Sequence, residues 1–380
     1  MKAYQFRLYP TIEQEILINK TIGCTRLVYN IMLSKKKENN KLSKFDLNRE
    51  IPSLYKEYPF LSEVDSMSLR CAVSDLCNGF DKYYKKQGGY PKYKKKGCKD
   101  SYRTNFITST YKGVRYENIK LDLKNKTIIL PKLKEVKIRG YRNLESINSR
   151  IINATVKHIA NKYYVSLCVE EEYILPEKRE RNVVGIDLGV KTLVTTSDGD
   201  TYGNPRYLEK YERKIKGLQK GLSRKVKGSK NYEKNKIKLE EANRKLKNAR
   251  KKMAEEIASN ITKEYDIIIT EKLEVKEMTG KNKTNKKLRK EIINAAFSEI
   301  IRKIKYKSKE LNKVFYQVDT YYPSSQICYR CGNQDKSMKD IRKRKYECTK
   351  CGVEIDRDLN ASINIMFEGL CGYKKQVYNN

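Results

Sequence analysis

The chain has a single histidine, His158, among 380 residues. That scarcity excludes any site built on paired imidazoles. His158 itself, alternating within INATVKHI, reads as a packed or surface residue because no partner constellation surrounds it. No stretch approaches the ~18 consecutive apolar residues of a membrane span, and the opening MKAYQFRLYP alternates like a strand where a signal peptide would run apolar. A cytoplasmic protein is expected. Cysteine is too sparse for a disulfide scaffold, at 10 in the whole chain. Cys24, Cys71, Cys77, Cys98, Cys168 and Cys371 read as reduced thiols, largely in the core. Acidic residues are also short: Asp+Glu 46 against Lys+Arg 83 leaves a net charge of +37. An AT-rich genome would enrich lysine, but would not leave so many lysines without acidic partners. A surplus this large attracts a polyanion, and nucleic acid is the expected partner.

What is present divides into segments, and the length suits two or three domains of about 100–200 residues each. Residues 2–9 alternate as a strand, Pro10 ends it, and Thr11 with Gln14 forms a capping box that opens a helix to about Leu33. Lys-rich, helix-like sequence continues to about Lys86. The basic loop GGYPKYKKKG follows; its Lys92, Lys94, Lys95 and Lys96 with Tyr90 and Tyr93 suit phosphates and a stacked base, or equally a solvated loop. From about 105 to 180 short β-rich runs take over, among them TIILP and a hairpin, INATVKHI and KYYVSLCVE, joined through Ala160 and Asn161.

RNVVGIDLGVKT carries the first chemical signal. Alternation puts Val184, Ile186 and Leu188 on one face and Gly185, Asp187 and Gly189 on the other, so the face bearing the carboxylate is cleared of bulk, as an approaching metal ion and phosphodiester would need. Thr192 to Thr196 and Thr201 to Gly203 complete a hairpin through Asp198 and Gly199. Residues 205–264 read as a solvated helical hairpin with a basic excess. DIIITEKL is the near-continuous apolar run of a strand inside a parallel sheet, ending at Glu271. If that strand lies parallel beside the Asp187 strand, the two carboxylates meet at the carboxyl edge of the sheet. A Lys- and Asn-rich loop from Lys276 to Lys287, read as mobile and as a lid, precedes one helix through IINAAFSEIIRKIKYKSKEL.

Cys328, Cys331, Cys348 and Cys351 form two CxxC pairs sixteen residues apart, with Gly332 and Gly352 following them. Thiolate pairs on tight turns supply two tetrahedral corners each, so one structural zinc is expected, closed to catalysis because sulfur fills every corner. In EIDRDLNASINIM a loop with Asp356 and Asp358 enters a helix carrying Asn360 and Asn364 one turn apart. Helix capping accounts for either aspartate taken alone. Together Asp187, Glu271 and Asp358 offer the oxygen ligands that two catalytic Mg²⁺ ions need.

In their order along the chain, CTRLVYN, YPKYKKKG, GIDLGVKTLVTTSDG, IITEKLEVKEM, IKYKSKEL, SSQICYRCGNQ and CGVEIDRDLNASINI resemble TnpB, the OrfB-type insertion-sequence family related to compact type V CRISPR effectors. The resemblance implies an α/β protein with β-rich and helical parts: an RNase H-like (RuvC) mixed sheet with a zinc-ribbon insert, and an N-terminal β wedge interrupted by a helical recognition domain. Its implied boundaries are 1–10 and 105–180 for the wedge, 11–104 for recognition, 181–322 and 355–380 for the nuclease, and 323–354 for the zinc insert. It further implies a guide RNA from the transposon end, a double-stranded DNA target cut beside a short transposon-associated motif, and two-metal hydrolysis by Asp187, Glu271 and Asp358. Asp358 is preferred to Asp356 because the family pattern sets the ligand two residues before the asparagine that is Asn360 here. Ser324 replaces the usual Thr and Ser362 the usual Ala, neither at an implied ligand. Two rivals stand beside this reading: an RNA-guided regulator that does not cut, disfavoured by the complete set of acids, and a DNA-strand transferase.

Overall fold

The computed structural model describes residues 1–97, 100–111, 114–140, 150–170, 175–178, 180–205, 207–280, 286–340 and 342–378. The chain divides into two compact units, Met1–Tyr173 and Ile174–Asn380. Cys98, and residues 281–285 of the expected lid, lie outside the described residues.

In the first unit β1 (Lys2–Tyr9) leads to α1 (Ile12–Glu38), opened by the Thr11–Gln14 capping box. Three shorter helices follow, α2 (Lys44–Arg49), α3 (Ile51–Glu57) and α4 (Ser66–Tyr84). Their apolar faces bury Val28, Met32, Leu47, Leu69, Val73 and Leu76 in one core with α1. Then come β2 (Ser101–Asn105), the hairpin β3 (Thr108–Tyr111) and β4 (Val114–Glu117), β5 (Lys120–Asp122), β6 (Thr127–Leu130), β7 (Lys134–Arg139), β8 (Arg150–Ile159) and β9 (Lys162–Glu170). Seven of these strands form a sheet in the order β2-β8-β9-β1-β7-β6-β5. Ala160 and Asn161, at φ 50° and 55°, turn β8 into β9 with both central residues left-handed, the conformation a two-residue hairpin needs. His158 lies flat on Tyr163, ring centroids 4.5 Å apart, which is the packed role expected of it.

The basic loop is tied to α1. The Asn30 side chain accepts from the Lys94 backbone N–H and donates to the Lys94 carbonyl, at 2.8 and 3.0 Å, while Tyr93 meets Ser34 at 3.0 Å.

The second unit opens with β10 (Val183–Asp187), β11 (Thr192–Thr196) and β12 (Thr201–Gly203), then α5 (Tyr207–Ser223), α6 (Lys230–Glu264) and β13 (Ile267–Glu271). α7 (Val275–Met278), α8 (Lys286–Ala295), α9 (Phe297–Glu310) and β14 (Val314–Val318) follow, and β15 (Lys345–Glu347), β16 (Glu354–Asp356) and α10 (Arg357–Tyr378) close it. Five strands form a mixed sheet ordered β12-β11-β10-β13-β14. β10, β13 and β14 run parallel, β11 runs antiparallel to β10, and β12 turns back again beside β11, which makes the sheet mixed as expected. Alternation in β13 sends Ile268 to one face and Ile267 and Ile269 to the other, so an apolar run is needed because both faces are covered. On the first face lie Ala254, Ile257, Ala258 and Ile261 of α6 with Phe297, Ile300 and Ile304 of α9. On the second lies Ile365 of α10. No described helix is long and apolar enough to cross a membrane.

Two expectations are corrected here. The single helix expected through IINAAFSEIIRK is two, because Ala296 adopts a left-handed backbone at φ 55° and ends α8 before α9 begins. The loop expected to start at Lys276 begins inside a short helix, α7.

Candidate active site

β10 and β13 are parallel neighbours, with Ile186 opposite Thr270, so the residues that end them, Asp187 and Glu271, come to the same carboxyl edge of the sheet. Asp358 arrives from elsewhere, in the first turn of α10 and not in the loop before it. Asp356 ends β16 immediately before the helix, and its Oδ1 accepts from the N–H groups of Asp358 and Leu359 at 2.8 and 3.1 Å. Asp356 therefore caps the helix and Asp358 is released from that task. Asp187, Glu271 and Asp358 all line one cavity of about 600 Å³. Its remaining wall includes the apolar Met278, Leu288, Ile292 and Phe297 and the cationic Lys191, Arg344 and Arg357.

The carboxylates disturb one another. Burial, then the negative charges of Asp358 and Glu271, push the Asp187 carboxyl up to about 7. Burial pushes Glu271 up to about 7, and burial with the charge of Asp356 raises Asp358. Half-buried acids that repel one another are a donor set short of positive charge, and oxygen ligands of this kind suit a hard divalent cation. Among the described residues, however, the carboxylate oxygens do not all close to within 4.8 Å of one another, whereas the four cysteine sulfurs do. Part of the missing charge comes from Arg344, whose Nη1 lies 3.6 Å from Asp358 Oδ2. Composition gave no hint of this pairing, because Arg344 belongs to the run RKRK, which reads as solvated surface.

The clearing of the β10 face has a different cause from the one expected. A Cβ on Gly185 would overlap the Ser362 carbonyl oxygen and come within 2.6 Å of the Met366 N–H nitrogen. The glycine lets α10 lie directly on the strand. At Gly189 a Cβ would overlap the Thr192 carbonyl oxygen at 2.7 Å, and Asp358 Oδ2 lies only at ordinary contact distance, 3.9 Å.

Cys328, Cys331, Cys348 and Cys351 bring their sulfurs together, with Cys328 to Cys351 at 3.7 Å and Cys331 to Cys348 at 3.5 Å. Four sulfurs about 2.3 Å from a central zinc would be spaced by about 3.8 Å, so the thiols fit a tetrahedral ion. Each pair sits on the same turn: Gly332 and Gly352 take φ 72° and 70°, and their N–H groups donate to the Cys328 and Cys348 carbonyls at 2.9 Å. Backbone N–H groups of Cys351 and Lys350 at the Cys348 sulfur favour its thiolate, the form that ligates metal.

Asn360 and Asn364 join the two centres. Asn360 accepts from the Tyr329 N–H at 3.0 Å and donates to the Ile327 carbonyl at 2.7 Å; Asn364 donates to the Ser324 and Ile327 carbonyls at 2.8 and 2.6 Å. Both asparagines are buried, so the helix that carries Asp358 is held to the first cysteine knuckle by amide bonds that water cannot replace.

Residues 166–282 match the family OrfB_IS605, described as a probable transposase, and residues 297–365 match the Cas12f1-like TNB domain. Residues 1–44 match a helix-turn-helix domain, although here they form one strand and one long helix up to the start of α2. An Escherichia coli (strain K12) protein named "Putative RNA-guided DNA endonuclease InsQ" is 28% identical, covering 97% of this chain and 92% of its own. A Streptomyces pristinaespiralis protein of the same description is 28% identical over 97% of this chain and 89% of its own. The structure titled "Cryo-EM structure of the Cas12f1-sgRNA-target DNA complex" covers 96% of this chain and 98% of its own, with 15% identity and a TM-score of 0.37.

Proposed function

We propose, from the family matches and the two full-length relatives, that the chain is a TnpB-like, OrfB-type protein and a transposon-encoded RNA-guided DNA endonuclease. It takes a guide RNA from the transposon end and cuts guide-matched double-stranded DNA next to a short transposon-associated motif, in the cytoplasm of a prokaryotic cell. The observation that carries the nuclease reading is the convergence of Asp187, Glu271 and Asp358 on one cavity at the carboxyl edge of the sheet. In the same reading residues 1–10 and 105–180 form the wedge, 11–104 the recognition insert, 181–322 and 355–380 the nuclease, and 323–354 the zinc-bearing insert.

Asp187, Glu271 and Asp358 would hold two magnesium ions, which when bound supply the Lewis acidity and water activation of phosphodiester hydrolysis. The chain's own residues do the rest. Asp187 feels the charge of both other acids, and so would gain most from the positive charge of a bound ion. Lys191, Arg344 and Arg357 on the cavity wall draw the phosphodiester backbone inward. The apolar wall of Met278, Leu288, Ile292 and Phe297 lowers the local dielectric, strengthening each of those attractions. Guide pairing reads most of the target, while the protein reads duplex shape and the short motif. The four thiolates would hold one zinc as a structural ion, since sulfur fills every corner.

The test is direct. The protein is expressed with its flanking DNA, the co-purifying RNA is sequenced, and guided cleavage is assayed in Mg²⁺. A discrete RNA running beyond the element, with cutting that Asp187→Ala lowers by at least about 10³-fold, is the expected result. An Asp187→Ala protein that cuts at the wild-type rate sinks the assignment. Joining of transposon-end DNA in the same mixture would favour a strand transferase instead.

A further inference from the structure

Tyr321 is 87% exposed, more than any other large hydrophobic or aromatic side chain among the described residues, yet it lines the cavity that holds the three acids. Its backbone is not loose. The Tyr321 N–H donates to Asp319 Oδ1 at 2.9 Å, the Tyr322 N–H donates to the Asp319 carbonyl at 3.3 Å, and Tyr322 packs in the core beside β14. Pro323 and the buried Ser324 then fix the exit from the turn. A large ring held at the mouth of an acidic cavity by an ordered turn, with no side-chain partner of its own among the described residues, leaves an apolar face uncovered at a cost in water.

We propose that Tyr321 is a stacking platform for an unpaired nucleobase of the DNA strand that enters this cavity. The inference rests on the nuclease reading and deepens it. The cations of the wall draw the phosphates inward, so the base beside the phosphate being cut faces outward, toward the mouth where the ring stands. In a duplex both faces of a base are covered by its neighbours; only an unstacked base can lie on a tyrosine. The ring thereby fixes the register of the strand over the carboxylates, which electrostatic attraction to phosphate alone leaves free to slide.

The experiment uses the full chain with its co-purified RNA. A single-stranded oligodeoxynucleotide carrying one 2-aminopurine, its position walked along the strand, is added in Ca²⁺ so that cutting is suppressed. Wild type and Tyr321→Phe quench the fluorescence at one position, and Tyr321→Ala loses that quench. In Mg²⁺, Tyr321→Ala slows cutting of the single strand about tenfold, Tyr321→Phe and Tyr321→Trp restore it, and an abasic nucleotide at the quenched position costs wild type as much. Equal quenching by wild type and Tyr321→Ala, or a loss that Tyr321→Phe and Tyr321→Trp fail to restore, overturns the proposal. Asp187→Ala should keep the quench and lose the cutting. If it cuts at full rate, the cavity is not the active site, and that failure is recognisable because the quench is untouched.

Discussion

Asp187 and Glu271 tie the behaviour of the site to pH. Their folded carboxyls are pushed up to about 7, while in the unfolded chain they titrate near 3.8 and 4.5. Between those limits the folded protein holds protons that the unfolded chain has released, so stability falls as pH rises through the window. Without divalent metal, the midpoint of thermal unfolding should fall between pH 5 and 7.5. Asp187→Asn, which cannot ionise, should flatten the fall, and a scan of both proteins in buffer and in Mg²⁺ reads the difference. Mg²⁺ displaces the same protons, so its half-saturating concentration should rise as pH drops below about 7. A wild type whose unfolding midpoint does not respond to pH in this window would show that the acids are not crowded as described.

At the scale of elements, two backbone positions decide how pieces meet. Gly185 allows α10 to rest on β10, and its replacement must push the helix off the strand because the obstructing atoms are backbone. Gly185→Ala should cost about 3 kcal/mol in denaturant unfolding and reduce cutting as well, since α10 carries Asp358. Ala296 shows the opposite case. At φ 55° an alanine bears a steric cost of about 1–2 kcal/mol that glycine escapes, partly offset by glycine's greater unfolded entropy. Ala296→Gly should therefore stabilise by about 0.5 kcal/mol and Ala296→Val should destabilise, both measured as shifts in denaturant midpoint.

For the molecule as a whole, zinc and charge set the conditions under which it exists. Metal analysis of the purified chain should return one zinc, and Cys348→Ser should lose it and unfold at lower temperature, because buried Met338 and Tyr346 pack around the thiols in a core too small to stand alone. Wild-type protein without zinc would count against the tetrahedral site. The charge of +37 makes binding to nucleic acid salt-dependent. Affinity for an unrelated RNA should fall by about 10³-fold between 50 and 200 mM salt, whereas binding of a guide with its own fold should fall less.

Much of this was written locally and so could be read locally. The CxxC spacing, the apolar run ending at Glu271, the Ala160–Asn161 turn and the Thr11–Gln14 box each express a constraint between residues a few positions apart, and each formed as its pattern implies. Charge and composition pointed to a nucleic-acid partner for the same reason: they are sums over residues, indifferent to geometry. Only the tertiary structure decided what Gly185 is for, which of Asp356 and Asp358 caps the helix, that Asn360 and Asn364 bind the first knuckle, and that Arg344 reaches Asp358. Those facts pair residues as far apart as Gly185 and Met366, and a pairing across that distance leaves no period in the sequence. It exists only once burial has brought the partners together and removed the water that would otherwise satisfy them.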